Sequence, residues 1–286
     1  MEEKMRVPII QVEGQTVETA GHTSRGNQLK WFQDGWWYKA DAFGYEGLAE
    51  TMVTRLLRET LWTGYVCYEP VTVMWKGRPY RGCRSRNFLQ EGEELLPLEK
   101  LYRSVTGFSL AEELAHIREV DRRIEHTVAF VENLTGLSDF GPYLSGMLEM
   151  DMFFLNEDRH TNNIALIYRQ EDKSYRLCPY FDMGLSLYAD TREAYPLDME
   201  VETCRQRVKA KPFSQDFDEQ MDAAGRLYGW SLHFSMDRNE LWHMLEDMQT
   251  AYEPAPETPW YSEQEWKRIR AAVMDQALSY PCLFET

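Results

Sequence analysis

Up to about residue 90 the apolar positions come in short runs broken by turn residues. Beyond about residue 95 they recur at helical spacing. Residues 6–13 read as a short strand, confined to a sheet edge by Pro8, which has no N–H to donate to a ladder. Residues 29–40 place Asp34-Gly35 between two aromatic runs, the signature of a tight hairpin. From Tyr45 to Thr60, Leu48, Met52, Val53 and Leu56 share one helical face. Residues 65–75 and 79–89 read as two more strands joined at Lys76-Gly77-Arg78. The pattern predicts a small antiparallel sheet of about five strands with one helix.

The polar run Glu91-Gly92-Glu93-Glu94 marks a linker. Helical spacing then covers 98–104, 110–133 and 143–155. In the second of these Leu114, Ile117, Val120, Ile124 and Val128 form the predicted buried stripe. The methionine-rich run 147–155 reads as core. Two short strands, 164–168 and 175–181, flank a polar turn. An irregular stretch runs to about residue 213. Helices are then predicted near 215–228, 237–252 and 262–279, with Asp237 and Ser262 as N-caps and Glu265 at capping-box spacing. The fold class is α+β in two lobes: residues 1–90 with the sheet and one helix, and residues 91–286, mainly helical.

At roughly 100–200 residues per domain, 286 residues suffice for two lobes, and 43% hydrophobic residues suffice for their cores. The net charge of −16 argues against a broad basic surface for nucleic acid or for an anionic membrane. It leaves room for a nucleotide, which needs only a local basic pocket. The five cysteines (Cys67, Cys83, Cys178, Cys204, Cys282) are scattered without a CxxC, as suits a reducing cytoplasm. The start, Met1-Glu-Glu-Lys-Met, has no apolar signal core, and no run approaches the length of a membrane span.

The candidate chemistry lies in Asn156-Glu157-Asp158-Arg159-His160-Thr161-Asn162-Asn163 and Phe181-Asp182-Met183-Gly184. An aspartate precedes an asparagine by five residues, and a second aspartate follows the first by 24. Phosphoryl-transfer sites of the kinase type use this order. One carboxylate orients and deprotonates the attacking hydroxyl, while the amide oxygen and the second carboxylate hold magnesium on ATP. Here these are Asp158, Asn163 and Asp182, with Arg159 and His160 as braces. Upstream, Lys39 on the second strand of the hairpin is placed to bridge phosphate oxygens, and Lys30 is a second candidate. Glu50 is favoured as the helix partner of Lys39, with Glu46 close behind. Either glutamate reads equally well as a solvated helix residue. Adenine would sit against the backbone of the linker at Asn87 and Phe88. The basic cluster Arg205–Lys211 reads as a surface loop or as a neighbour of a peptide substrate.

These residues resemble the HipA-like serine/threonine kinases, including the compact forms similar to the kinase CtkA. The Asp-Arg-His-x-x-Asn block is also similar to that of the distantly related phosphoinositide 3/4-kinases. The resemblance covers Gly26-Asn-Gln28-Leu-Lys30, which looks like the family's phosphate loop, then Lys39, Asp158–Asn163 and Asp182. It implies a two-lobed protein-kinase-like fold, ATP and Mg2+ as cofactors, and phosphate contacts from Gly26, Gln28, Lys30 and Lys39. It also implies a protein substrate, and autophosphorylation of a hydroxyl just before the loop, here Thr23 or Ser24. It raises the toxin of a toxin–antitoxin pair, with an antitoxin-type regulator, as a role. About 20 residues precede the loop, too few for the extra N-terminal subdomain of full-length HipA toxins. Two other functions fit the same residues: a kinase-fold nucleotide-binding module of weak or no activity, and a kinase acting on a small molecule or lipid.

Overall fold

The computed structural model describes residues 4–15 and 28–285. They group into two units. The first comprises the described residues within Met1–Asn87, Met183–Arg207 and His233–Thr286, and the second comprises Phe88–Asp182 and Val208–Leu232. Segments 183–207 and 233–286, which the sequence reading places with the helical lobe, cluster with the first unit.

The first unit begins with β1 (Met5–Arg6), β2 (Ile9–Gln11), β3 (Lys30–Gln33), β4 (Trp36–Ala40), α1 (Glu46–Leu57), β5 (Tyr68–Trp75) and β6 (Arg78–Arg86). The sheet runs β2-β5-β6-β4-β3. All its pairs are antiparallel except β2 with β5, which is parallel. Both hairpins turn on two left-handed residues, Asp34 and Gly35 (φ 53° and 77°) and Lys76 and Gly77 (φ 50° and 74°). That backbone matches the strand twist. Val12, Trp31, Tyr38, Val71 and Val73 pack the sheet's core. Helix α1 crosses β6 at two glycines: a Cβ on Gly47 would lie 2.6 Å from the carbonyl carbon of Gly82. This close approach fixes the first turn of α1 on the sheet, and Glu50 lies one turn further along.

The second unit contains β7 (Glu93–Pro97), α2 (Leu98–Thr106), α3 (Leu110–His116), α4 (Val120–Thr135), α5 (Phe140–Phe154), β8 (Ala165–Arg169) and β9 (Ser174–Leu177). The three strands form an antiparallel sheet in the order β7-β8-β9. Part of the predicted linker is therefore strand: Glu93 and Glu94 pair opposite Arg169 and Tyr168. The single helix expected over 110–133 is two helices. Ile117 is extended (φ −84°, ψ 127°), and Arg123 Nε donates to its carbonyl at 2.8 Å, holding the break. Every residue of α5 except Pro142 is buried.

After Asp182 the chain supplies α6 (Val201–Arg207) to the first unit and α7 (Phe217–Tyr228) to the second. It then gives α8 (Arg238–Ala251), β10 (Tyr252–Glu253) and α9 (Glu263–Ser279) to the first. Both predicted N-caps carry full capping boxes, Asp237 with Glu240 and Ser262 with Glu265. Among the described residues no helix is long and apolar enough to cross a membrane.

Candidate active site

In the first unit, Lys39 on β4 is buried and its Nζ donates to Glu50 Oε1 at 2.7 Å and to the Tyr68 hydroxyl at 3.3 Å. The same ammonium lies 4.8 Å from the centre of the Tyr68 ring. The other oxygen of Glu50 accepts the backbone N–H of Met183 at 3.1 Å. One buried carboxylate thus holds both the strand lysine and the residue that directly follows Asp182. Glu46 does different work. It accepts the N–H groups of Ala42, Phe43 and Gly44 at 2.8, 2.6 and 2.8 Å, fixing the loop that leads into α1. Lys30 stands directly opposite Lys39 in the β3–β4 register and is also buried.

The segment after Met183 is anchored within the same unit. The Tyr45 hydroxyl donates to the carbonyl of Leu187 at 2.6 Å, and the Tyr45 N–H donates to Ala189 at 3.1 Å. Arg268 on α9 donates to the carbonyls of Tyr195, Pro196 and Leu197 at 3.3, 3.1 and 3.1 Å, and to that of Met199.

In the second unit, α5 ends with Leu155 in the left-handed region (φ 55°), and the Asn156 N–H closes back onto the Asp151 carbonyl at 2.9 Å. Arg159, 1% exposed, donates through Nε and Nη2 to the two oxygens of the fully buried Asp151 at 2.8 and 3.1 Å. Its remaining nitrogen donates to the carbonyls of Asn163 (2.8 Å) and Phe181 (3.2 Å). The loop carrying Asp158 and Asn163 is thereby tied to the residue before Asp182, which itself adopts a left-handed backbone (φ 59°). The Asn163 amide nitrogen donates to the Asp158 carbonyl at 2.8 Å.

The Asp158 carboxylate is itself buried. His160 Nε2 lies 3.7 Å from one oxygen, and Lys211 Nζ lies 3.5 Å from the other. Burial raises the pKa of Asp158, against the opposing pull of His160 and Lys211, and Asp182 adds to the rise. Burial lowers that of His160 and favours its neutral form.

The geometry joins Lys39 to Glu50, and it gathers Asp158, Asn163 and Asp182 through Arg159. Lys30 is buried and Gln28 half-buried. Gly26, Thr23 and Ser24 lie outside the described residues. Asn87 closes the β3–β4 turn: its N–H donates to the Gly35 carbonyl at 2.9 Å, and its Oδ1 accepts from Trp37 Nε1 at 3.3 Å. The Phe88 carbonyl accepts from Arg176 at 3.3 Å, and its ring packs 6.1 Å from that of Phe181.

Sequence reasoning missed Asp151, which sits inside the run read as apolar core. The signal was there: Glu149 and Asp151 are carboxylates in an otherwise hydrophobic helix, and both are buried. It also missed Lys211, whose membership in a basic cluster carried no spacing information. Among the described residues no group of three or more His, Cys, Asp or Glu forms a metal cage.

No family model and no curated protein matches the sequence. Among solved structures, the proinflammatory kinase CtkA of Helicobacter pylori matches over 95% of this chain and 95% of its own, with a TM-score of 0.58 and 16% identity. At that identity the likeness establishes a fold, and the chain has a kinase-like α+β fold.

Proposed function

We propose that this chain is an ATP- and magnesium-dependent serine/threonine protein kinase of the HipA-like type. The observation that carries the reading is Glu50, which pairs with Lys39 and also receives the N–H of the residue after Asp182. A helix glutamate that fixes a strand lysine is the arrangement kinases use to hold nucleotide phosphates. The kinase-like fold and the order of the residues along the chain support it.

The donor set fits magnesium, a hard cation that takes oxygen ligands. Asn163 commits its amide nitrogen to the loop, so its oxygen is the atom left for a cation, and Asp182 supplies a carboxylate. Bound there, magnesium would neutralise charge on the phosphates. Lys39 and Lys30 offer ammonium groups to the phosphates, with Gly26 and Gln28 in the phosphate loop. Asp158 accepts a hydrogen bond from the acceptor hydroxyl and orients it for attack. Lys211 and the ring of His160 flank that carboxylate. Glu50 and Arg159 position these groups through others. The proposed acceptor is a protein hydroxyl, with Thr23 or Ser24 as the intramolecular one. A toxin role with an antitoxin-type partner extends the same reading.

Incubation with labelled ATP and magnesium, followed by phosphosite mapping, tests it. Label is expected on Thr23 or Ser24, and it is expected to vanish in Asp158→Ala while calorimetry still detects ATP. Absence of ATP binding to the wild type sinks the proposal. Binding without any transfer points instead to a nucleotide-binding module.

A further inference from the structure

A cavity of about 450 Å³ opens in the first unit on the side of α1 that presents Thr51, Thr54, Arg55 and Arg58. Met5–Pro8 form one wall, Tyr68, Glu69 and Pro70 of β5 another, and Arg84 and Tyr252 complete it. The walls are fixed before any ligand arrives. The Val7 N–H donates to the Glu253 carbonyl and the Thr72 N–H to the Pro8 carbonyl, each at 2.9 Å. The Tyr68 N–H donates to Thr54 Oγ1 at 2.9 Å. A preformed site avoids much of the ordering cost of binding.

Four arginines line this one cavity in a molecule of net charge −16. Arg84 is matched by Glu69 at 2.9 Å, and Arg55 by Glu59. Arg6 and Arg58 have no carboxylate partner among the described residues. Two unmatched guanidinium groups equal the charge of a phosphate monoester, about −1.5 to −2 at neutral pH, and their forked donors suit its oxygens. The half-buried Tyr252 and Pro8 supply flat apolar surface beside them. The volume falls in the range of small-molecule sites, about 300–1,000 Å³.

We infer that this cavity is a second anion site that takes a small aromatic phosphate monoester, separate from the nucleotide phosphates proposed for Lys39. Tyr68 links the two: it lines the cavity and contacts the Lys39 ammonium through both its hydroxyl and its ring. Occupancy steadies the Lys39–Glu50 pair, and this consequence, unlike binding itself, rests on the kinase reading.

The test is calorimetry with phenyl phosphate, with benzyl alcohol as the uncharged control and inorganic phosphate as the control without a ring. One phenyl phosphate is expected per chain, with weaker binding of inorganic phosphate and none of benzyl alcohol. Arg6→Gln and Arg58→Gln are each expected to weaken phenyl phosphate at least tenfold. Both arginines are exposed at the rim, so their melting temperatures should match the wild type. The inference is overturned by absence of saturable binding, by unchanged affinity in the Arg6→Gln/Arg58→Gln double variant, or by displacement with saturating ATP. Loss of ATP binding with phenyl phosphate binding intact sinks the kinase reading and leaves the cavity standing.

Discussion

Asp151 touches no proposed substrate atom, yet the loop with Asp158 and Asn163 depends on it. It neutralises Arg159 in a place that water does not reach, and Arg159 spends its other nitrogen on the carbonyls of Asn163 and Phe181. Removing one partner of such a pair leaves a buried charge alone and costs about 3–5 kcal/mol. Asp151→Ala is therefore expected to destabilise the protein by about that amount in urea titrations, far more than removal of an exposed carboxylate such as Glu112. At this scale the sequence was informative where spacing suggests a shared site: the order of Asp158, Asn163 and Asp182 singled out three residues whose segments Arg159 ties together. It was silent where position in space decides. Glu46 and Glu50 lie four residues apart on one helical face, and only the loop at 42–44, which takes up Glu46, shows which one meets Lys39. Asp151 was hidden because a helix so apolar reads as core whatever one of its residues does.

Among the elements, a single carboxylate on β7 reaches both other strands of its sheet, in addition to the backbone ladder with β8. Glu93 accepts from Arg176 on β9 at 2.6 and 2.9 Å, from Arg169 on β8 at 3.1 Å, and from the Gln90 N–H at 2.9 Å. The Arg176 hydrogen bonds, foremost, lower its pKa to about 2. A carboxyl group with a depressed folded-state pKa binds its proton more readily when unfolded. Its stabilising effect is full above the ordinary value of 4.5 and is lost as pH falls toward 2. Glu93→Gln is expected to lower stability at pH 7 and to flatten the acid limb between pH 4.5 and 2, as measured by denaturant melts across that range. The strand itself was illegible because Glu91–Glu94 has the composition of a linker, and its identity comes from pairing with β8 and β9. The capping boxes at Asp237 and Ser262 were legible because a cap is a local contract among four residues. The break after His116 was not, since the apolar spacing runs straight through it.

For the molecule as a whole, the chain passes from one unit to the other at 87/88, 182/183, 207/208 and 232/233. Residues 1–87 alone lack the groups that complete their unit. Arg81 is without Glu265, whose oxygens it meets at 2.5 and 2.9 Å, and Tyr261 is missing from beneath its guanidinium at 4.6 Å. A fragment ending at residue 90 is expected to melt without a cooperative transition in circular dichroism, whereas the full chain unfolds cooperatively. The two-part α+β architecture was readable from the change in hydrophobic period near residue 90. The repeated crossing was not, because periodicity reports the face of an element and not the unit it joins.

The Arg81–Glu265 contact spans 184 residues. During synthesis at about 5–20 residues per second, Arg81 leaves the ribosome on the order of ten seconds or more before its partner exists. The unit built from Phe88–Asp182 and Val208–Leu232 can close while the sheet made first still waits for its last segment. Over that interval the nascent sheet has an arginine still waiting for its carboxylate and an open apolar face, so chaperone capture of stalled chains should concentrate on the first-made unit.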